Sequence, residues 1–279
     1  SLSAAAVAGF GLAGCSGKKT SEPAGSDAGS AKASSKKAVE LQIFAANSLE
    51  KALSEVQELY TEQTGTTFAD TQFKASGDLV EQMRAGAAVD VLITASKSTM
   101  DDAETAELID ADTREDMFVN DLVIVRAEGS DTKVEAIADV ANLDGKIAIG
   151  DAKTVPAGKY ANQALASVGL YTGTEGDDGE YAPEIADKVA LADKVGTAAA
   201  YVSTGDCVAG FVYSSDIFRY DGIEEAFVCP EDSHKPIVYP GAVAESSEHA
   251  DEAKAFIDFC LTNKKAQKIW AKYGFELSA

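Results

Sequence analysis

From residue 39 onward the apolar positions follow two alternating periods. Residues 39–45 (VELQIFA) begin with every second position apolar and end in a continuous apolar run, which predicts a strand. Residues 49–64 place Leu49, Leu53, Val56, Leu59 and Tyr60 at helical spacing and predict an amphipathic helix. The same reading predicts strands over 66–73, 89–95, 122–126, 147–149, 208–213 and 237–241. It predicts helices over 78–85, from about 98, and over 159–168, 194–201 and 250–270. Strand followed by helix, many times over, implies a layered α/β architecture with crossover connections. Residues 173–180 (GTEGDDGE) break the pattern and read as a solvated surface loop. Their acids lack the spacing of a calcium loop.

The N-terminus follows neither period. Residues 1–14 are uncharged and largely small or apolar, and they end at Cys15 in the run Leu12-Ala13-Gly14-Cys15. The stretch is too short for a membrane span and is expected to be the remainder of a signal peptide that starts further upstream. Its last four residues resemble the bacterial lipobox, which implies lipidation of Cys15 and attachment to the outer face of the cell membrane. Residues 16–38 hold fourteen Ser, Gly or Ala and no large apolar side chain, so they are expected to form a flexible linker. Five lysines against two acids give this linker a net charge of +3.

The whole chain carries 24 Lys and Arg against 46 Asp and Glu, a formal charge of −22. That balance argues against a nucleic-acid partner, whose phosphates require basic side chains. It leaves a small anion open, because such a ligand answers to local donors. Beyond Cys15 the cysteines are Cys207, Cys229 and Cys260. Cys207 and Cys229 flank one strand-turn-strand region and are the favoured disulfide, with Cys260 a buried free thiol in a helix. The only histidines are His234 and His249, too few for a clustered zinc site.

No phosphate-binding loop, dinucleotide fingerprint or nucleophile elbow occurs. Ser48 stands between a strand and a helix, and a surface-anchored serine hydrolase built on it is the enzymatic alternative. A different pattern is more informative. Small or polar residues sit just ahead of or at the start of four helices, at Ala45-Ala46-Asn47-Ser48, Ala75-Ser76-Gly77-Asp78, Thr154-Val155-Pro156-Ala157-Gly158 and Asp193-Lys194-Val195-Gly196. Asn47 or Ser48 is expected to cap the first. Helix starts expose unpaired N–H groups and partial positive charge, so several that converge form an anion site without Lys or Arg. Lys74 and Lys159 lie beside these segments and are expected to add only long-range attraction.

The segments FAANSLEKAL (44–53), GDAKTVPAGKYANQAL (150–165), GFVYSSD (210–216), PEDSHKPIVYP (230–240) and KIWAKYGF (268–275) resemble the periplasmic molybdate-binding proteins of ABC importers. The resemblance implies a type II periplasmic-binding-protein fold, α/β, with mixed sheets flanked by helices and a ligand cleft between two lobes. It implies lobe one over 39–119 and 238–279 and lobe two over 120–237, with Trp270, Tyr273 and Phe275 packing on lobe one. It implies a monomer that captures molybdate or tungstate, without catalysis or cofactor, and delivers it to a membrane permease. Matched residue by residue, the ligand shell is Ser48, Ser76, the backbone N–H groups of Ala157 and Val195, and Tyr213. Such a shell offers donors and no acceptor, so it disfavours hydrogen phosphate. Sulfate on the same scaffold is the alternative ligand.

Overall fold

Five runs of the chain are apolar and buried at every position, and three of them are IFAA, VLI and IVYPGAV. Strands covered on both faces read in this way. These three are β2 (Ile43–Ala46), β5 (Val91–Ile93) and β12 (Ile237–Val243), and they lie side by side in one sheet. The structure is a computed structural model that describes residues 39–278, so Cys15 and the linker 16–38 lie outside the described residues.

The N-terminal part continues through β1 (Glu40–Leu41), α1 (Glu50–Thr64), β3 (Thr67–Phe68), β4 (Gln72–Lys74), α2 (Ser76–Arg84), α3 (Lys97–Thr105) and β6 (Glu115–Asn120). The middle comprises β7 (Leu122–Ala127), β8 (Ile147–Gly150), α4 (Pro156–Ser167), α5 (Pro183–Ala186), β9 (Val189–Ala192), α6 (Val195–Ser203), β10 (Ala209–Tyr213), α7 (Ser214–Ile217) and β11 (Ile223–Val228). After β12 follow α8 (Ala250–Thr262), α9 (Lys264–Lys272) and β13 (Glu276–Leu277). One sheet has six strands in the order β13-β6-β12-β5-β2-β4, and the other has five in the order β11-β7-β10-β8-β9. Both mix parallel and antiparallel pairs: β2 runs parallel to β4 and β5, while β12 is antiparallel to β5 and β6. In the second sheet β8 is parallel to β9 and β10, and β7 is antiparallel to β10 and β11. The chain leaves the first sheet at Asn120, enters the second at Leu122, and returns between Val228 and Ile237. This is the bilobed α/β architecture the sequence implies.

Local chemistry explains the details. Helix α1 buries Ala52, Leu53, Val56 and Tyr60 on one face and stops at Gly65, whose φ of 78° an L side chain rarely adopts. Pro240 has no N–H for the ladder, and β12 shifts register against β6 between Tyr239 and Pro240. The helix predicted over 250–270 is two helices. Asn263 breaks it, because its side-chain oxygen takes the N–H groups of Lys265 and Ala266 at 2.9 and 3.2 Å. Trp270 is buried against Phe118, with ring centroids 4.3 Å apart, and donates to the Cys260 carbonyl. The strand predicted over 66–73 is also split: β3 pairs with β1, while β4 pairs with β2 in the large sheet.

The favoured disulfide is absent. Cys207, Cys229 and Cys260 are free and buried. The register gives the reason. Gly210 opposes Val125, so Cys207 lies beyond the C-terminal end of β7, while the Cys229 N–H donates to the Leu122 carbonyl at the N-terminal end of that strand. They are separated by roughly 20 Å of strand, against the roughly 7 Å between Cα atoms that a disulfide tolerates.

Candidate functional site

Strand ends and helix starts bring the five predicted residues to neighbouring positions. Ser48 lies in the 3-10 turn Asn47–Leu49 after β2, Ser76 opens α2 after β4, and Ala157 is the second residue of α4. Val195 opens α6 after β9, and Tyr213 ends β10. Contacts between the two sheets' segments tie these ends together. The N–H of Gly77 donates to the Thr154 carbonyl at 3.2 Å, joining the start of α2 to the loop before α4. A Cβ on Gly196 would stand 2.9 Å from Asn47 Oδ1 and 2.2 Å from the Tyr220 hydroxyl, so only glycine lets α6 approach the turn after β2 this closely. Ser48 reaches the Tyr239 hydroxyl at 2.9 Å, and the Tyr239 ring meets Tyr213 edge-on with centroids 5.7 Å apart. Tyr160, one turn along α4 from Ala157, meets the other side of Tyr213 at 6.5 Å. All five residues are buried.

The available groups are donors. The first-turn N–H groups of Ala157 and Val195 have no acceptor among the described residues, and neither helix start has a side-chain cap. Tyr213's hydroxyl is buried and makes no hydrogen bond of normal geometry, although Tyr239's hydroxyl is near enough to affect its ionisation. Burial, with the neighbouring Tyr239 and Tyr160 hydroxyls acting in the same direction, pushes the Tyr213 hydroxyl well above its ordinary range and keeps it protonated. Ser76 Oγ accepts the Ala95 N–H at 3.0 Å. Neither Ser48 nor Asn47 caps a helix, contrary to the expectation. The 3-10 turn places Ser48 inside the helical path, where its hydroxyl turns to Tyr239. Gly158 packs on the strand: its Cβ would stand 2.0 Å from the Gly150 carbonyl, so α4 presses on the end of β8.

The charged groups near the donors are paired or hydrogen-bonded within the chain. Asp216 accepts the Tyr213 N–H at 2.9 Å, and Arg219 stands 3.6 Å from its other oxygen. Arg219 also reaches Glu50 of α1 at 2.5 Å, a contact from the second sheet's segment to the first. Burial pushes the Asp216 carboxyl up to about 6, against the opposing pull of Arg219 and the Tyr213 N–H. The two lysines expected to attract an anion are engaged: Lys159 pairs with Asp177 at 2.6 Å, and Lys74 donates to Gln82 at 3.2 Å.

The loop 173–180 is correspondingly more than a solvated excursion. Asp178 takes the N–H groups of Glu175 and Gly176 at 3.1 and 3.3 Å, and Asn162 and Gln163 of α4 donate to the loop's carbonyls. Beside the five residues, a cleft of about 440 Å³ opens among Ser96, Lys159, Tyr160, Gln163, Lys235 and Val238.

Ser48 has no base. Its partner is a tyrosine, while His234 is half-buried against Tyr160 and bonded to the Lys235 carbonyl, and His249 lies at the start of α8. Among the described residues, no three His, Cys, Asp or Glu side chains gather as a metal site. Sequence reading missed Tyr239, Asn120, Asp216 and Arg219. Tyr239 stands within the IVYP run already singled out, but its partner is 191 residues away in the chain.

A bilobed α/β body with unpaired donors at the meeting of its sheets defines the class of periplasmic solute receptors. Residues 41–276 match the family of bacterial extracellular solute-binding proteins, and the chain belongs to it. The molybdate-binding protein ModA of Escherichia coli K12 is 33% identical over 242 residues, covering 85% of this chain and 89% of that one. A substrate-binding domain from Clostridium difficile, assigned to a molybdenum ABC transporter, is 33% identical with TM-score 0.64 and covers 87% of this chain and all of the other. The periplasmic molybdate-binding protein of Azotobacter vinelandii shares the fold at 20% identity, with TM-score 0.72 over 86% of this chain and 100% of that one. The family binds solutes, and the hydrolase alternative falls with it.

Proposed function

We propose that this chain captures molybdate or tungstate and delivers it to the membrane permease of an ABC importer, tethered through a lipidated Cys15. The observation that carries the reading is the set of buried, unspent donors: the Tyr213 hydroxyl and the first-turn N–H groups of Ala157 and Val195. Ser48 and Ser76 complete the shell. Relatives named for molybdate support the choice of ligand. A desolvated dianion gains strongly from such donors, because none has to be taken from another partner. In this proposal the lobes comprise 39–119 with 238–279, and 120–237. They hinge where the chain crosses between sheets, and the Gly77–Thr154 and Arg219–Glu50 contacts belong to the closed form.

Calorimetric titration with molybdate, tungstate, sulfate and phosphate tests the reading. Molybdate and tungstate are expected to bind at micromolar Kd or tighter, with sulfate and phosphate at least 100-fold weaker, a difference of about 2.7 kcal/mol. Tyr213→Phe is expected to lose about tenfold or more in molybdate affinity while folding as stably as the parent, since it removes a hydroxyl that makes no hydrogen bond of normal geometry within the protein. Equal affinity for all four anions, or unchanged affinity in the variant, defeats the proposal.

A further inference from the structure

The Ser48 hydroxyl is one end of a chain of hydrogen bonds whose direction is set at the crossing between the two sheets. Asn120 is the last residue of β6. Its Oδ1 faces the N–H groups of Asp121 and Ser215 at 3.0 and 3.4 Å. Backbone N–H groups only donate, so this amide has one orientation. The Ser214 hydroxyl adds a third contact to Oδ1 at 2.7 Å. The Asn120 NH2 group therefore points the other way, to the Ser215 hydroxyl at 2.7 Å and the Tyr239 hydroxyl at 3.4 Å.

An amide NH2 cannot accept. The Tyr239 oxygen is thus the acceptor from Asn120, and its single proton must go elsewhere. Ser48 Oγ is the partner that remains, at 2.9 Å. Ser48 then accepts from Tyr239 and keeps its own proton for whatever occupies the site. In the opposite arrangement Ser48 would donate to Tyr239, and the buried Tyr239 proton would have no acceptor of normal hydrogen-bond geometry, an unfavourable state. The register shift at Tyr239 and Pro240 places this tyrosine between the strand crossing and the turn after β2. Ser76 is polarised in the same sense by a single step, since its oxygen accepts the Ala95 N–H.

We infer that Asn120 and Tyr239 are specificity-determining positioning residues: they hold Ser48 as a hydrogen-bond donor and so make the site select against oxyanions that carry a proton. The inference rests on the oxyanion reading proposed above. It separates two effects that size alone would merge. Sulfate and hydrogen phosphate are similar in size and, at about pH 8, equal in charge, but only the second must place a proton on an acceptor.

The test is Asn120→Asp, which keeps the shape and the contacts of Oδ1 but replaces the NH2 donor with an acceptor. Tyr239 would then donate to the new carboxylate and accept from Ser48, leaving Ser48 able to accept from the ligand. Competition titrations at about pH 8 are expected to show both anions weakened by the added charge, with the preference for sulfate over hydrogen phosphate narrowed about tenfold. Tyr239→Phe alone removes the donor that occupies the Ser48 oxygen without adding charge, so the same narrowing is expected there without the general weakening. An unchanged ranking in Asn120→Asp, including one that still admits neither anion, overturns the relay. So does a Tyr239→Phe variant that keeps the parent's ranking.

Neutron diffraction on the parent's molybdate complex asks the same question without a variant. The Tyr239 deuteron is expected on the Ser48 side, and a Ser48 deuteron directed at Tyr239 overturns the inference. A parent chain that binds no oxyanion overturns the proposed function itself, whereas a parent that binds molybdate beside variants of unchanged ranking overturns the relay alone.

Discussion

Helices α4 and α6 begin differently from α3 and α9. At α3 the Ser96 side chain accepts the Thr99 N–H at 3.2 Å, and at α9 Asn263 takes two N–H groups. At α4 and α6 the residues ahead of the helix are Val155 and Lys194, neither side chain caps, and neither first turn carries an acid. Helix α2 likewise has no side-chain cap, although Asp78 lies in its first turn. A cap satisfies first-turn donors within the chain and stabilises the fold by about 1 kcal/mol. Leaving them unpaired forgoes that contribution and keeps the donors for a ligand. The difference teaches where stability was given up in favour of binding. Helices α1, α5 and α8 also lack a side-chain cap but carry acids in their first turns; among the described α-helices, only α4 and α6 have neither cap nor acid.

The largest test removes one such donor without disturbing its helix. Val195 is the first residue of α6, where proline is favoured, and Lys194 before it is extended with φ −160° and ψ 163°, as a residue preceding proline prefers. Val195→Pro is expected to weaken molybdate binding by about 10- to 150-fold, the worth of a hydrogen bond to a charged group. Urea unfolding is expected to move by less than about 1 kcal/mol. A large loss of stability with affinity intact would reverse the comparison.

Helix α7 sharpens it, because it is a start beside the site that is capped. Asp216 accepts the Tyr213 N–H but is wholly buried, and its carboxyl is raised from 3.8 to about 6. A carboxyl raised on folding binds its proton more tightly in the native state. Its contribution is therefore fully present below about pH 4 and falls as pH rises through about 6. Urea midpoints of the parent relative to Asp216→Asn are expected to fall across that window by on the order of 1–3 kcal/mol, and to be level above it. A difference that rises instead would mean that Arg219 more than offsets the burial.

The smallest effect is expected far from the site. Asn263→Ala removes the cap of α9 and is expected to cost about 1 kcal/mol in urea unfolding. Molybdate affinity should not change. A loss of affinity there would show that capped and uncapped starts are not separable in this fold.

Much of this was legible in the residues themselves. The strands at 89–95, 122–126 and 208–213 and the helices at 49–64 and 159–168 are carried by local period. Pro156 marks the start of α4, and the small residues before α2, α4 and α6 mark donor ends. Less legible were β6 and β11, which mix acids with apolar positions, and β9, an apolar run of only four residues; each becomes a strand because a neighbour pairs with it. The split of 66–73 between two sheets and the break at Asn263 were likewise decided by partners, not by period.

The sequence by itself determined the layered α/β class, the acidic body, the resemblance to an oxyanion receptor and the residue types that can donate. Those properties depend on neighbours a few positions apart, so a linear reading reaches them. Only the tertiary structure decided which donors stay unspent, that Asp177 engages Lys159, that the cysteines lie apart, and which way the Ser48 hydroxyl is directed. Each of these depends on strand register and on pairs distant in the chain. A single register shift at Pro240 bears on whether Tyr239 meets Ser48 at all.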